Sequence, residues 1–145
     1  MQEVVQAYLM RWQADPKRVR PFFEHLLEAL RGPENEMEFV ERAGVSASLR
    51  AKIAMPGKGA ASAIVSRELF CLVDVVEDVD GRWLSVCFYA DTVSDPEERG
   101  NLVPLGLLGE DGYCFDVEEP DSALEEYVLA RIEQARKRIG ARRLS

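Results

Sequence analysis

The sequence predicts an α+β fold: an antiparallel meander sheet of about four to six strands, with two N-terminal helices and one C-terminal helix packed on it, in a single domain spanning residues 1–145. Three observations predict it. Apolar stripes at helical spacing occupy both ends of the chain. The middle holds a run of complete apolar/polar alternation and two β-rich runs around Asp80-Gly81. No β-α-β alternation occurs, so a parallel sheet is not expected.

The first helix is read from Val4, Val5, Tyr8, Leu9 and Trp12, an amphipathic stripe within residues 3–13. Asp15-Pro16 reads as the start of a second helix, with Asp15 as N-cap and Pro16 at its first position. Its stripe is Val19, Phe22, Phe23, Leu26, Leu27 and Leu30, and Gly32-Pro33 stops it near Arg31. Pro21 lies about five residues in, so the helix either kinks there or begins properly there. From Val45 to Ile53 apolar and polar residues alternate without a break, the mark of a half-buried strand. Met37–Arg42 is its hairpin partner across Ala43-Gly44, with a helix over 37–43 as the alternative. PGKGAAS at 56–62 reads as a loop.

The strongest local signal is LFCLVDVVEDVDGRWLSVCFYAD. Asp80-Gly81 is a favoured two-residue hairpin pair. One face holds Leu69, Cys71, Val73 and Val75 opposite Ala90, Phe88, Val86 and Leu84, all apolar. The other holds Phe70, Leu72, Asp74, Val76, Trp83, Ser85, Cys87 and Tyr89, too apolar to be left fully in water. Residues 92–111 read as a long irregular stretch. Its Leu102, Val103, Leu105, Leu107 and Leu108 either fold over the mixed sheet face or contact a partner. GYCFDVEE is the next strand, with Tyr113, Phe115 and Val117 on one face. Ser122 and Glu125 form a capping box for the last helix, and Gly140 ends it.

Two N-terminal helices, a strand-turn-strand around ELFCLVDVV and WLSVCFYA, and GYCFDVEEPDSALEEYVLARIEQ closing the chain make an order of elements that resembles the small bacterial YjbR- and YdhG-type domains. The resemblance covers most of the chain as architecture and rests on no specific motif. It implies an α+β fold. Some such domains are suspected of binding DNA, an expectation from which the acidity of this chain departs.

The chain carries 26 acids against 18 bases, a net charge of −8, which disfavours a nucleic-acid partner and an anionic membrane surface. No apolar run approaches the roughly 20 residues that span a bilayer. The N-terminal MQEVVQAYLMRWQ lacks the apolar core of a secretory signal, so a soluble cytoplasmic protein is expected. Cys71, Cys87 and Cys114 are odd in number and widely spaced, which argues against a disulfide framework and against zinc. Cys71 and Cys87 point to opposite faces and do not pair. The cysteines are expected to pack as small hydrophobes. His25, the only histidine, sits in the apolar helical run FFEHLLEAL, at the edge of the core.

Known chemistry-bearing motifs fail. Gly57-Lys58-Gly59 lacks the earlier glycine of a phosphate loop. Gly106, Gly109 and Gly112 have neither the spacing nor the context of a dinucleotide loop. Asp78-Val79-Asp80-Gly81 puts its glycine too early for a calcium loop. No catalytic residues and no cofactor are expected. The carboxylates to watch for acid-base or divalent-metal chemistry are Asp74, Asp91 and Asp116, because they sit within strands. Charge is segregated. Residues 42–67 hold five bases and no acid, residues 68–126 hold 17 acids and two bases, and residues 127–145 are basic again. Arg50, Lys52, Lys58 and Arg67 are therefore candidates for holding an anion or an acidic partner, against the plainer role of protecting an edge strand. The reading that follows is a protein-interaction or self-associating module, a homodimer or a complex with another protein. A small-ligand or metal enzyme built on the strand carboxylates is the first rival. Nucleic-acid or anion binding through the basic segment is the second.

Overall fold

The computed structural model describes residues 1–54 and 69–144. Helices α1 (Gln2–Arg11) and α2 (Arg20–Leu30) come first. Strands β1 (Asn35–Arg42), β2 (Ser46–Ile53), β3 (Leu69–Val76) and β4 (Trp83–Tyr89) follow, then a 3-10 turn at Ala90–Thr92. Strands β5 (Asn101–Leu107) and β6 (Glu110–Val117) precede the long helix α3 (Ser122–Leu144). The fold is α+β, as expected. All described strand pairs are antiparallel, in the order β1-β2-β3-β4-β6-β5. The first four form a meander. The last hairpin is inverted, so that β6 pairs with β4 and β5 becomes an edge.

One face of the sheet carries Ala47, Leu49, Ala51, Cys71, Val73, Val75, Leu84, Val86, Phe88, Phe115 and Val117, all buried. The three helices cover it with Val5, Tyr8, Leu9, Trp12, Phe22, Phe23, Leu26, Leu30, Val128, Ile132 and Ile139. The helix stripes correspond to these positions, with one exception. Val4 is exposed and does not join the stripe of α1. At the start of β3 the expected faces are exchanged, with Phe70 in the main core and Leu69 on the outer face, where the β2–β3 register shifts beside Ala51. The nine-residue alternation became β2, and its partner is β1, so the strand reading of 37–42 holds and the helix alternative does not.

The hairpin β3–β4 pairs Val73 with Val86 and Val75 with Leu84, as expected. Its turn differs from the expectation. Those pairings centre the connection on Val79-Asp80, and the tight turn is closed by Gly81 N–H donating to the Asp78 carbonyl at 3.1 Å. Gly81 has φ +119°, and a Cβ there would stand 2.5 Å from Pro16 Cγ, a ring that cannot swing away. Gly81→Ala is expected to cost about 2 kcal/mol in a urea melt. A loss under about 0.5 kcal/mol would mean that the Pro16 loop shifts freely.

Asp15 does not cap α2 directly. It organises a loop that recurs at Asp95. In Asp15-Pro16-Lys17-Arg18-Val19-Arg20 and Asp95-Pro96-Glu97-Glu98-Arg99-Gly100 the fourth residue donates its N–H to the Asp carbonyl at 3.0 Å. That fourth residue has a positive φ, 56° at Arg18 and 52° at Glu98. The carboxylate then accepts the next two backbone N–H groups, those of Val19 and Arg20 at 3.1 and 3.0 Å and those of Arg99 and Gly100 at 2.9 Å each. Helix α2 begins after the first of these loops, with Pro21 in its first turn, so the later of the two start points applies.

At the other end of the chain Asp121, not Ser122, caps α3 by accepting the Leu124 N–H at 2.9 Å. Glu125 is thereby free to reach His25, whose Nδ1 lies 2.9 Å from its carboxylate. This bond raises the His25 pKa above its usual value. His25 is exposed and staples α2 to α3. Helix α3 runs through Gly140 to Leu144, past the expected stop. No described helix is long and apolar enough to cross a membrane.

Candidate functional site

The face of the sheet away from the helices carries the groups the core does not use. Register alone places them. The row Ser48, Asp74, Ser85, Asp116 crosses β2, β3, β4 and β6. The next row is Glu38, Arg50, Leu72, Cys87, Cys114, Asn101. The first row is polar and internally bonded. Ser48 Oγ donates to Asp74, and Ser85 donates to Asp116. Partial burial and the nearby Glu118 carboxylate push the Asp116 pKa above its usual value, against the pull of the Ser85 bond.

Of the three sequence-predicted carboxylates, Asp74 and Asp116 share this row with Ser85 between them. Asp91 does not join. The chain leaves β4 before it, into the 3-10 turn, where its backbone carbonyl accepts a bond from Arg138 at 3.2 Å. Among the described residues no three His, Cys, Asp or Glu side chains converge as metal ligands. The expected three-carboxylate site is therefore not assembled.

The basic candidates divide as well. Arg50 and Lys52 both approach Glu38 on the neighbouring strand, at 3.7 and 3.8 Å. These two bases of the acid-free stretch are thus answered by Glu38 of β1. Lys58 and Arg67 lie outside the described residues, as does the 56–62 loop. The two bases of the acidic block are also matched within the chain, Arg82 with Glu77 and Arg99 with Asp121.

The second row holds a feature that the sequence reading missed. Leu69, Leu72, Cys87, Tyr89, Leu107 and Cys114 form a small buried apolar cluster, separate from the main core. Cys87 and Cys114 are direct partners in the β4–β6 register, with Cα atoms 4.2 Å apart, and are joined as a disulfide. The expectation of packed, unjoined cysteines holds only for Cys71, which is buried in the main core and whose pKa desolvation drives far up. The alternation places Cys87 on the mixed face and separates Cys114 from Tyr113, Phe115 and Val117, without saying which strand lies beside it. Only the inversion of the last hairpin, invisible in the alternation, sets the two cysteines side by side.

The expected long loop contains β5, and its leucines part company. Leu107 folds onto the outer apolar cluster. Leu102, Leu105 and Leu108 stay exposed, at 56, 70 and 58%. The β5–β6 turn consists of Leu108 and Gly109, both with positive φ, 51° and 87°, between the paired Leu107 and Glu110. This is the mirror-image turn geometry that favours Asn-Gly or Asp-Gly, and here its first residue is leucine. Leu105, at the irregularity in β5, is left-handed too, with φ 56°. Its N–H donates to Asp111 at 3.0 Å. Leucine in this conformation costs roughly 1–2 kcal/mol per residue. Ala90, Asp91, Leu105, Gly109, Glu110 and Asp111 line a cleft beneath the tip.

Behind β5 the Asp95 carboxylate is a hub. Besides its two backbone donors it accepts the Tyr113 hydroxyl at 2.6 Å and the Tyr127 hydroxyl at 2.5 Å. Burial alone would raise its pKa, but the four bonds outweigh it and hold the carboxyl at about 2. Tyr113 is pushed up to about 12, chiefly by this bond. The hub fastens β6 to α3 and sets the entry into β5.

No family model, curated protein or solved structure matches this chain. Its functional reading therefore rests on this geometry.

Proposed function

We propose that the chain is a protein-interaction module that self-associates through the tip of the β5–β6 hairpin. One observation carries the reading: Leu105 and Leu108 are both strongly exposed and both held in left-handed backbone. Two leucines that cost the fold energy and bury little of themselves within it are best explained by a surface that buries them. The two edges of the sheet support this. Strand β1 carries Glu36, Glu38, Glu41 and Arg42, the charges that keep an edge from pairing. Strand β5, Asn-Leu-Val-Pro-Leu-Gly-Leu, carries none.

The occupant that fits is a second copy of this chain. A two-fold interface must be self-complementary. Here the apolar tip stands over a cleft lined by Asp91, Glu110 and Asp111, with Arg138 of α3 bonded to the Asp91 carbonyl, so one patch offers a second copy both apolar surface and charges of both signs. The reading takes the protein to act in the cytoplasm without a catalytic role. Its likeness in element order to YjbR- and YdhG-type domains is compatible with that and does not carry it.

Sedimentation velocity tests the reading. The wild-type chain is expected to dimerise at tens of micromolar. Leu105→Asp with Leu108→Asp is expected to weaken the dimer at least 100-fold. Leu108→Asn separates strain from contact, because Asn tolerates the turn: it is expected to stabilise the monomer by about 1 kcal/mol while weakening association. A wild-type monomer at several hundred micromolar sinks the reading. So does a Leu108→Asn variant that associates as well as wild type.

A further inference from the structure

Cys87 and Cys114 stand where the proposed interface meets the body of the sheet. Cys87 belongs to β4, which is anchored in the middle of the sheet. Cys114 belongs to β6, which carries β5 and the tip. The disulfide is thus, among the described residues, the only covalent cross-link between β6 and the strand it docks on, added to the backbone that runs from β4 through residues 90–100 into β5. On one side of the pair lies Leu107, in the same apolar cluster; a Cβ on Gly112 would stand 3.1 Å from Leu107 Cβ and 3.8 Å from Cys114 Sγ. On the other side the Ser85 hydroxyl lies 3.3 Å from Cys87 Sγ.

From this placement we infer that Cys87 and Cys114 form a reversible thiol–disulfide modification site, and that its oxidation strengthens self-association through the β5–β6 tip. The inference rests on the interaction reading for its second half only. Two arguments lead to it. First, the sulfurs do not depend on the bond to stay together. Directly opposed positions on antiparallel strands are fixed by the backbone ladder, so breaking the bond leaves a pre-organised dithiol that closes again readily. Second, Leu107 shares a cluster with both sulfurs and is two residues from Leu105 and one from Leu108. Tying β6 to β4 fixes the floor on which the tip rests, which lowers the ordering cost of burying it against a partner.

The co-reactant is a low-molecular-weight disulfide such as oxidised glutathione. The Cys87 thiol gives up its proton and its thiolate attacks one sulfur of that disulfide, releasing one small thiolate and leaving a mixed disulfide on Cys87. The Cys114 thiol likewise gives up its proton and attacks the Cys87 sulfur, releasing the second small thiolate. The two protons end on the two released thiols. The protein dithiol is oxidised by two electrons and the small disulfide is reduced by two. The exchange balances equally with Cys114 as first attacker in place of Cys87. Cys87 and Cys114 are only 7 and 8% exposed, so exchange requires Leu107 and the tip to lift. A tip held in a dimer therefore slows it.

The test equilibrates the full chain in glutathione buffers of graded potential, traps free thiols with an alkylating agent, counts the labels by intact mass and measures the dimer constant at both extremes. Cys71 is replaced by Ala in one arm, so that the count reads the pair alone. Two labels gained together on reduction and lost together on oxidation are expected, with about tenfold tighter dimerisation when oxidised. Linkage then requires the redox midpoint to depend on protein concentration in wild type and not in Leu105→Asp/Leu108→Asp. A pair that stays fully reduced or fully oxidised across all buffers overturns the modification site. A reversible pair with the same dimer constant in both states overturns the coupling and leaves the interaction reading intact. A monomer in both states overturns the interaction reading, and the coupling with it, while the label count still decides the modification site. Cys114→Ser guards against a folding artefact, since it is expected to match reduced wild type in dimer constant; a fully dissociated Cys114→Ser chain would contradict the inference.

Discussion

Replacing Asp95 by Ala is expected to lower the unfolding free energy by about 3 kcal/mol, a large share of the roughly 5–15 kcal/mol that a domain holds. The carboxylate accepts from four donors at once, the Tyr113 and Tyr127 hydroxyls and the Arg99 and Gly100 N–H groups. Alanine leaves all four without their acceptor and removes the tie between β6 and α3. Asp95→Asn is milder, about 2 kcal/mol, since its oxygen serves one pair of donors while its amide faces the other pair. The pH dependence has a definite sign. The folded carboxyl titrates near 2 against a usual value of 3.8, so its contribution is complete above about pH 4 and is lost as pH falls toward 2. Urea melts of wild type and Asp95→Ala at pH 7 and pH 2.5 check this. The gap between them is expected to narrow at the lower pH. A gap below 1 kcal/mol at pH 7, or one that does not change with pH, would show that the loop holds its shape without the carboxylate.

The core was legible because burial imposes a period, and a period can be read. Ala47, Leu49 and Ala51 alternate on a strand buried on one face only, so their pattern had one solution. The helix stripes likewise follow from a single covered side. What the period cannot carry is order. Nothing in the alternation of Tyr113, Phe115 and Val117 says that their strand inserts beside β4 and pushes β5 to the edge. That choice brings Cys114 against Cys87 and leaves Leu102, Leu105 and Leu108 in solvent.

Turn chemistry misled for a related reason. Asp80-Gly81 has the residues that a mirror-image turn prefers, yet that geometry is adopted by Leu108-Gly109, where leucine works against it. Local preference is one vote among several. Across β3–β4 it is overruled by the pairing of two fully apolar strand faces, and at the tip by whatever leucine gains there. The candidate site was half visible for the same reason. The alternation puts Asp74 and Asp91 on one face and leaves Asp116 to depend on which strand lies beside β4; the structure brings in Asp116 and drops Asp91, which lies past the point where the strand ends, and strand ends are not marked in a period. The repeated Asp-Pro loops were open to view in the sequence at 15–20 and 95–100. Their equivalence shows only in the bonds that both carboxylates make.

Trp12→Ala is expected to be the most damaging single change, at about 3–5 kcal/mol. Trp12 is fully buried, packs edge-on against Tyr8 and tilted against Phe23 at centroid distances of 6.1 and 5.6 Å, and lies under the Arg82 guanidinium at 5.3 Å. Arg82 also covers the Tyr8 ring, and its Nε donates to the Tyr8 hydroxyl, which in turn donates to Glu77. Burial, with the Glu77 bond second, pushes Tyr8 up to about 12, so the hydroxyl stays protonated and this chain of donors stays intact across ordinary pH. The indole thus joins the end of α1 to the β3–β4 turn. Its Nε1, however, has no acceptor among the described residues. A buried donor without a partner works against the fold. Trp12→Phe removes that donor and keeps most of the ring, so it is expected to cost about 1 kcal/mol, well below the alanine variant. Equilibrium unfolding followed by far-UV circular dichroism separates the cases. A phenylalanine variant as damaged as the alanine one would mean that the polar end of the ring holds this corner rather than its packing.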